Sequence, residues 1–290
     1  MSRVIFALMW LAHFLPLALL ARLGESVGTI AFWLIPERRM VARVNLARCF
    51  PHMAEAERER LARAHFRAFC RSFVEHALLW WAPRSRIERL VRIDGIEHLR
   101  ALRGQPVILL APHFVGLDAG GTRLTCERDI VSIYANQKDP RFGALLRKGR
   151  SRFGDQRLVS RQQGIRAAIA GMREGRPFYY LPDQDYGARD ALFVPFFGVP
   201  AATLTALPRL ARVTGAKVLP AVTRMLPGGG GYVLTIEPAW NDYPSGDLEA
   251  DTRRMNAYIE SRVLEMPEQY FWMHKRFKTR PAGEARFYSV

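Results

Sequence analysis

Acidic side chains are scarce in this chain: 27 Asp and Glu stand against 43 Lys and Arg, leaving a formal net charge of +16. Such an imbalance disfavours cationic partners and points to a polyanion: nucleic acid, an anionic membrane face, a phosphorylated lipid or an acidic protein. Cysteine is nearly absent, and Cys49, Cys70 and Cys126 show neither a paired framework nor metal-ligand spacing. A disulfide scaffold is thereby excluded, and the three read as small reduced core residues of a cytoplasm-facing domain. There is no His-x-x-x-His or Cys-x-x-Cys pair to suggest zinc, and no glycine fingerprint for a dinucleotide. No Gly-x-Ser-x-Gly elbow is expected, and so no obvious serine-hydrolase nucleophile. Gly228 to Gly231 read as a hairpin loop between strand-like flanks, not as a phosphate loop. What remains is acid–base chemistry without a covalent nucleophile, metal or cofactor.

Apolar residues, by contrast, are ample: 49% of 290 residues, enough for one large domain with an appendage. Val4 to Ala21 is interrupted only by His13 and Pro16, giving about 18 residues, the lower limit for spanning a bilayer. A cleaved signal peptide is the rival reading, with Arg3 as its charged start. Against it, no clean small-x-small site precedes Arg22, and a further apolar stretch, Val27 to Ile35, follows. We therefore expect an uncleaved membrane anchor over residues 1–36, spanning or lying in one leaflet, followed by one domain over 37–290. Arg22, Arg38, Arg39, Arg43 and Arg48 follow the segment and Arg3 precedes it, which places the domain on the cytoplasmic side.

From about Ala54 to Trp81, Leu61, Phe66, Phe69, Phe73 and Ala77 recur at helical spacing. Arg60, Arg63, Arg67 and Arg71 form a basic ridge, either a solvated face or one lying on anionic headgroups with Trp80 and Trp81 at the interface. Beyond Pro83, runs at Val107–Ala111, Ile130–Ala135, Pro177–Leu181, Val218–Thr223 and Tyr232–Ile236 read as strands. Gln163–Arg173, Thr203–Thr214 and Asp247–Glu265 read as helices. This alternation indicates an α/β fold, a mixed or largely parallel central sheet flanked by helices.

Val107-Ile-Leu-Leu-Ala-Pro-His113 ends a buried strand in a histidine, with Asp118 five residues on. Five helical residues rotate by about 500°, leaving the two side chains roughly 140° apart. They can meet only if His113 lies in the turn and Asp118 one turn into the next helix. The carboxylate would then fix the imidazole tautomer and leave the other nitrogen as a base. Gly116 between them would let something approach closely. A second strand end carries Leu181-Pro-Asp-Gln-Asp-Tyr-Gly187. Asp183 and Asp185 there could hold a cation, a basic group or substrate hydroxyls, or simply form the turn. Phe193-Val-Pro-Phe-Phe-Gly198 suits a pocket wall or the core. Arg147-Lys-Gly-Arg-Ser-Arg152 could converge on an anion, and His274-Lys-Arg-Phe-Lys-Thr-Arg280 adds a cationic run beside aromatics. A nucleic-acid surface is disfavoured, because no stacking platform accompanies the arginines.

The ordered set of motifs resembles the lipid A biosynthesis acyltransferases, within the wider His-x4-Asp/Glu glycerolipid acyltransferases. The resemblance rests on His113-x4-Asp118, Leu181–Gly187 running into Phe193–Gly198, Leu210-Ala-Arg212 with Thr214-Gly-Ala216, and Pro267–Tyr270 through His274–Pro281. It covers almost the whole chain. Many members of this branch carry Glu where this chain has Asp118, a change that keeps the carboxylate. The resemblance implies an inner-membrane enzyme that moves an acyl chain from acyl carrier protein to a hydroxyl on a 3-hydroxyacyl chain of a lipid A precursor. Rival acceptors are a lysophospholipid or an aminolipid, and the rival class is a non-catalytic basic membrane-binding protein. It further implies His113 as general base, Asp118 as its partner and Arg150, with Arg152 second, at the developing oxyanion or a substrate phosphate. Arg152, Asp183, Asp185, Lys275 and Arg276 are expected on the substrates. Neither metal nor cofactor is expected.

Overall fold

The computed structural model describes residues 2–137 and 139–288. Four helices come first: α1 (Ser2–Ala12), α2 (Leu17–Leu34), α3 (Pro36–Cys49) and the 27-residue α4 (Glu55–Trp81). The α/β part follows as α5 (Arg84–Leu90), β1 (Val91–Asp94), α6 (Ile96–Arg100), β2 (Val107–Leu110), α7 (Leu117–Thr125), β3 (Val131–Tyr134), α8 (Pro140–Arg150) and β4 (Arg157–Ser160). It continues through α9 (Ile165–Arg173), β5 (Phe178–Tyr180), β6 (Ala191–Phe196), β7 (Val199–Leu204), α10 (Ala206–Thr214), β8 (Lys217–Met225), β9 (Tyr232–Ile236) and α11 (Leu248–Glu265).

Seven strands form one sheet in the order β1-β9-β8-β2-β5-β3-β4, and β6 and β7 form a separate hairpin. All neighbours in the large sheet are parallel except β8 and β9, which pair antiparallel across the Gly228–Gly231 loop. The expected mixed α/β sheet is therefore present. β2 sits at its centre, and helices cover both faces. Ile108 and Leu110 enter one core cluster while Val107 and Leu109 enter the other. Burial on both faces explains an unbroken apolar run where a half-exposed strand would alternate.

Some expectations change. Thr203 to Thr205 belong to the end of β7 and the turn after it, so the helix begins only at Ala206. Phe193–Gly198 is the β6–β7 hairpin, turned by Phe197 at φ 50° and Gly198 at φ 75°. The basic ridge of α4 is split: Arg60, Arg63 and Arg67 are exposed, but Arg71 is buried against Glu75, 2.7 Å away. Trp80 is buried too, so it is not an interfacial residue; its indole fills the space a Cβ on Gly149 would need.

The amino-terminal helices are not detached from the domain. α2 is apolar and long enough to cross a membrane by length and composition, with mean hydropathy 1.4. Yet Leu20, Ala21, Gly24, Gly28 and Phe32 are buried along one stripe. A Cβ on Gly24 or Gly28 would lie 2.4 Å and 2.5 Å from the Cα atoms of Arg71 and Arg67, so the backbones of α2 and α4 are in contact. Against the expectation that none is present, Gly24-Glu-Ser26-Val-Gly28 does spell the Gly-x-Ser-x-Gly string, but it lies inside this helix and not at a strand-to-helix turn, and Ser26 Oγ donates to the Arg22 carbonyl.

Candidate active site

The carboxyl end of β2 delivers His113 and that of β5 delivers Asp183, because the two strands are parallel neighbours with Leu110 opposite Tyr180. Pro112 and Pro182, each two residues past the last pair of those strands, end them. The His113 ring Nδ1 lies 2.7 Å from Asp183 Oδ1, and its backbone N–H donates to Asp183 Oδ2 at 2.9 Å. The Asp183 side chain is only 1% exposed. Burial opposes its ionisation, but the adjoining His113 ring and backbone N–H outweigh that and hold the carboxyl below the usual range. A carboxylate accepts only, so the Nδ1 that faces Asp183 carries a proton, and Nε2 is the ring nitrogen turned away from that carboxylate. Phe271 stacks at 6.5 Å between ring centroids, and its N–H donates to the His113 carbonyl at 3.0 Å, steadying the turn.

Asp118 lies where its spacing placed it, in the first turn of α7, where a carboxylate also suits the helix dipole. It does not meet His113. Its Oδ1 accepts from Arg150 Nε at 3.1 Å and Nη2 at 2.7 Å, and its Oδ2 faces His76 Nε2 at 3.1 Å. The expected His113–Asp118 pair is thus replaced by a His113–Asp183 pair. Oxygens of Asp183 address both the ring and the backbone N–H of His113, while Asp118 is taken by Arg150 and His76. Desolvation disfavours its charge, yet Arg150 first and His76 next keep its carboxyl far below the ordinary range.

His76 was not marked by the sequence. It stands on α4 with Ser72 one turn before and Trp80 one turn after, a pattern that any half-buried helix shows. Its Nδ1 is 2.7 Å from the Ser72 carbonyl and its Nε2 faces the Asp118 carboxylate, so both nitrogens confront acceptors. Gly116 does allow a close approach, but of protein: a Cβ there would meet the Thr223 carbonyl oxygen of β8 at 2.8 Å, and one on Gly120 would meet Thr223 Oγ1 at 1.9 Å. These two glycines set α7, and with it Asp118, directly on the sheet.

A cavity of about 770 Å³ opens beside His113 and Arg150. Its walls are mainly apolar, from Ile133, Leu146, Ile165, Ile169, Phe178 and Leu210, while Arg161 and Arg209 stand at its edge. That volume falls within the ~300–1,000 Å³ typical of sites for small molecules and cofactors. A much smaller pocket, about 50 Å³, lies behind Asp118 and Arg150 among Gly121, Ile130, Leu158 and Tyr179. Arg150 borders both, and with Nε and Nη2 held by Asp118 its remaining Nη1 is the edge available to an anion.

Other expected substrate contacts are spent on the protein itself. Arg152 Nη1 donates to the Leu79 carbonyl at 2.6 Å and Nη2 to that of Ala82, capping the carboxyl end of α4. Asp185 accepts from Thr279 N–H at 2.6 Å, Thr279 Oγ1 at 2.8 Å and Gly187 N–H at 2.9 Å, so it fastens the carboxyl-terminal segment. Arg276 is 3% exposed and donates to the Ala202 carbonyl and Thr203 Oγ1 of β7. Lys275 reaches Glu37 of α3 at 3.5 Å and is absent from the cavity lining. In each case the charge neutralises or caps a local group, and none of the four touches the cleft. No group of three metal-binding side chains occurs among the described residues.

Residues 3–279 match the family model described as bacterial lipid A biosynthesis acyltransferase. The chain is 34% identical to the lipid A biosynthesis lauroyltransferase of Escherichia coli K12, over 95% of this chain and 90% of that protein. It is 31% identical to the palmitoleoyltransferase of the same organism over 97% and 92%, and 34% identical to the myristoyltransferase over 93% and 83%. These relatives carry names for three different acyl groups at nearly equal identity, so the likeness fixes the family and not a chain length. The chain belongs to the bacterial lipid A biosynthesis acyltransferases.

Proposed function

We propose that this protein transfers a fatty acyl chain from acyl carrier protein to the hydroxyl of a 3-hydroxyacyl chain on a lipid A precursor, at the cytoplasmic face of the inner membrane. The observation that carries this reading is the His113–Asp183 pair at 2.7 Å on the rim of a large apolar cavity. In the proposed reaction His113 Nε2 takes the acceptor hydroxyl proton as that oxygen attacks the thioester carbonyl carbon. Charge gathers on the carbonyl oxygen, to which Arg150 Nη1 offers a donor. Collapse of the tetrahedral species breaks the carbon–sulfur bond, and the same Nε2 returns the proton to the departing thiolate. Asp183 keeps Nδ1–H in place throughout and stabilises the imidazolium that forms in between. Asp118, held by His76, aligns Arg150 and does not orient His113.

Charge supports the choice of partners. Acyl carrier protein and the phosphorylated precursor are both acidic, and Arg161 and Arg209 edge the cavity on a chain of net charge +16. Arg161 also lies over the Tyr186 ring at 4.3 Å, a platform that keeps its guanidinium at the mouth. The test is transfer by the purified full-length protein from labelled acyl carrier protein to three acceptors: a lipid A precursor, a lysophospholipid and an aminolipid. Thioester consumption dependent on the lipid A precursor is the expected result. Preference for another acceptor would reassign the substrate, and no consumption with any of them would overturn the reading.

A further inference from the structure

The outward face of α2 is largely apolar, with Arg22, Ser26 and Thr29 exposed among its apolar side chains. Leu19, Leu23, Val27, Ile30, Trp33 and Leu34 are all exposed, with Trp33 58% and Leu34 73% accessible. The opposite face is fixed to the domain along the helix: Gly229 would place a Cβ 2.6 Å from Ala18 Cα, Gly24 and Gly28 touch α4, and Phe32 packs edge-on against Phe66 at 5.2 Å. A charged clasp joins the same two helices, since Glu25 accepts from Arg67 at 2.9 Å. Arg39 and Arg63 lie over the Trp33 ring at 5.5 Å and 5.2 Å. Arg22, Arg38 and Arg43 are exposed around this face.

If α2 crossed the bilayer in this arrangement, it would carry Glu25, Arg63 and Arg67 with it into hydrocarbon. Those charges sit beside the middle and the end of the helix, where their insertion is most costly. Only one side of α2 is apolar and unoccupied, which is the geometry of a helix lying in an interface plane. A tryptophan flanked by arginines belongs at the headgroup level. We propose that α2 does not span the membrane: it lies flat in one anionic leaflet, still packed on α4, as a fixed part of the folded domain. This deepens the membrane attachment proposed above and rests on it; it does not depend on which lipid is acylated.

The test reads depth along the helix in the full-length protein. Spin labels at Leu19→Cys, Val27→Cys and Leu34→Cys, in a Cys70→Ser background, are brought to vesicles of mixed zwitterionic and anionic phospholipid. A flat helix gives three similar shallow depths, whereas a spanning helix puts Val27 deep and the other two near opposite surfaces. The second outcome overturns the inference. A copy with an amino-terminal epitope tag gives an independent reading in spheroplasts: the tag should survive external protease in chain that sediments with membranes. Removal of the tag means that α2 spans. Recovery of the chain in the soluble fraction means that membrane attachment itself is wrong. Arg22→Gln should weaken binding to anionic vesicles about fivefold, at roughly 1 kcal/mol for one cation at such a surface, and leave binding to zwitterionic vesicles unchanged. Equal loss on both vesicle types would remove the anionic leaflet as the partner.

Discussion

Two aspartates close to one cleft are held in opposite ways. Asp183 is sealed at the end of β5 and gives both oxygens to one histidine residue. Asp118 begins a helix, remains 29% exposed, and divides its oxygens between a guanidinium and a second imidazole. The same side chain therefore does two jobs: one holds the imidazole of His113, the other holds the guanidinium of Arg150. A carboxylate's role is set by what faces it, not by its distance in sequence from a histidine.

The sharpest way to break this contrast is to remove the base. His113→Ala should lower the transfer rate by about 10²–10⁴-fold with the fold intact, measured with acyl carrier protein as donor. Asp183→Asn should come next, at about 10²-fold or more, because an amide can present its N–H₂ to Nδ1 and favour the wrong tautomer. Asp118→Asn should cost less than either, and Asp118→Glu least of the carboxylate changes. Were Asp118→Asn the more damaging of the two, the roles assigned here would have to be exchanged. His76→Asn should cost about tenfold or less, and should leave the Asp183→Asn loss undiminished in the double variant, since the pairs do not share an atom.

The smallest effect belongs to a histidine of a third kind. His65 is fully buried, its Nδ1 meets the Glu268 carbonyl at 3.0 Å, and burial lowers its pKa from 6.5 to about 4. The folded state thus refuses a proton that the unfolded chain accepts between those values. Its contribution is complete above pH 6.5 and is lost as pH falls towards 4. His274, also lowered to about 4 by burial and then by His113, adds to the same window. Urea midpoints measured across that interval should decline less steeply in His65→Gln than in the parent chain.

Much of the sheet was legible because buried strands announce themselves: Val107–Leu110 and Tyr232–Ile236 are continuous branched or aromatic runs. Val91-Arg-Ile-Asp94 and Arg157-Leu-Val-Ser160 escaped notice because they are short edge strands with charged residues. In the candidate site, the sequence placed His113 and Asp183 at the mouths of β2 and β5 and Asp118 in the first turn of α7, as the structure has them. Pairing was not legible, since Asp183 stands 70 residues from the ring it holds, and parallel pairing of β2 with β5 is what joins them. Arg152, Asp185 and Arg276 look like binding groups in sequence because nothing there reveals that a carbonyl or a threonine already occupies them.

α4 touches both ends of the story. Near its middle, Arg67 and Arg71 receive the glycines of α2; farther along, His76 grips Asp118 and Trp80 lodges beside the residue preceding Arg150. One stiff rod thus connects the apolar helix α2 to the guanidinium in the cleft. Any tilt imposed on the amino terminus by bilayer thickness or composition would swing that rod and be delivered, mechanically, at the Asp118–Arg150 pair beside His113.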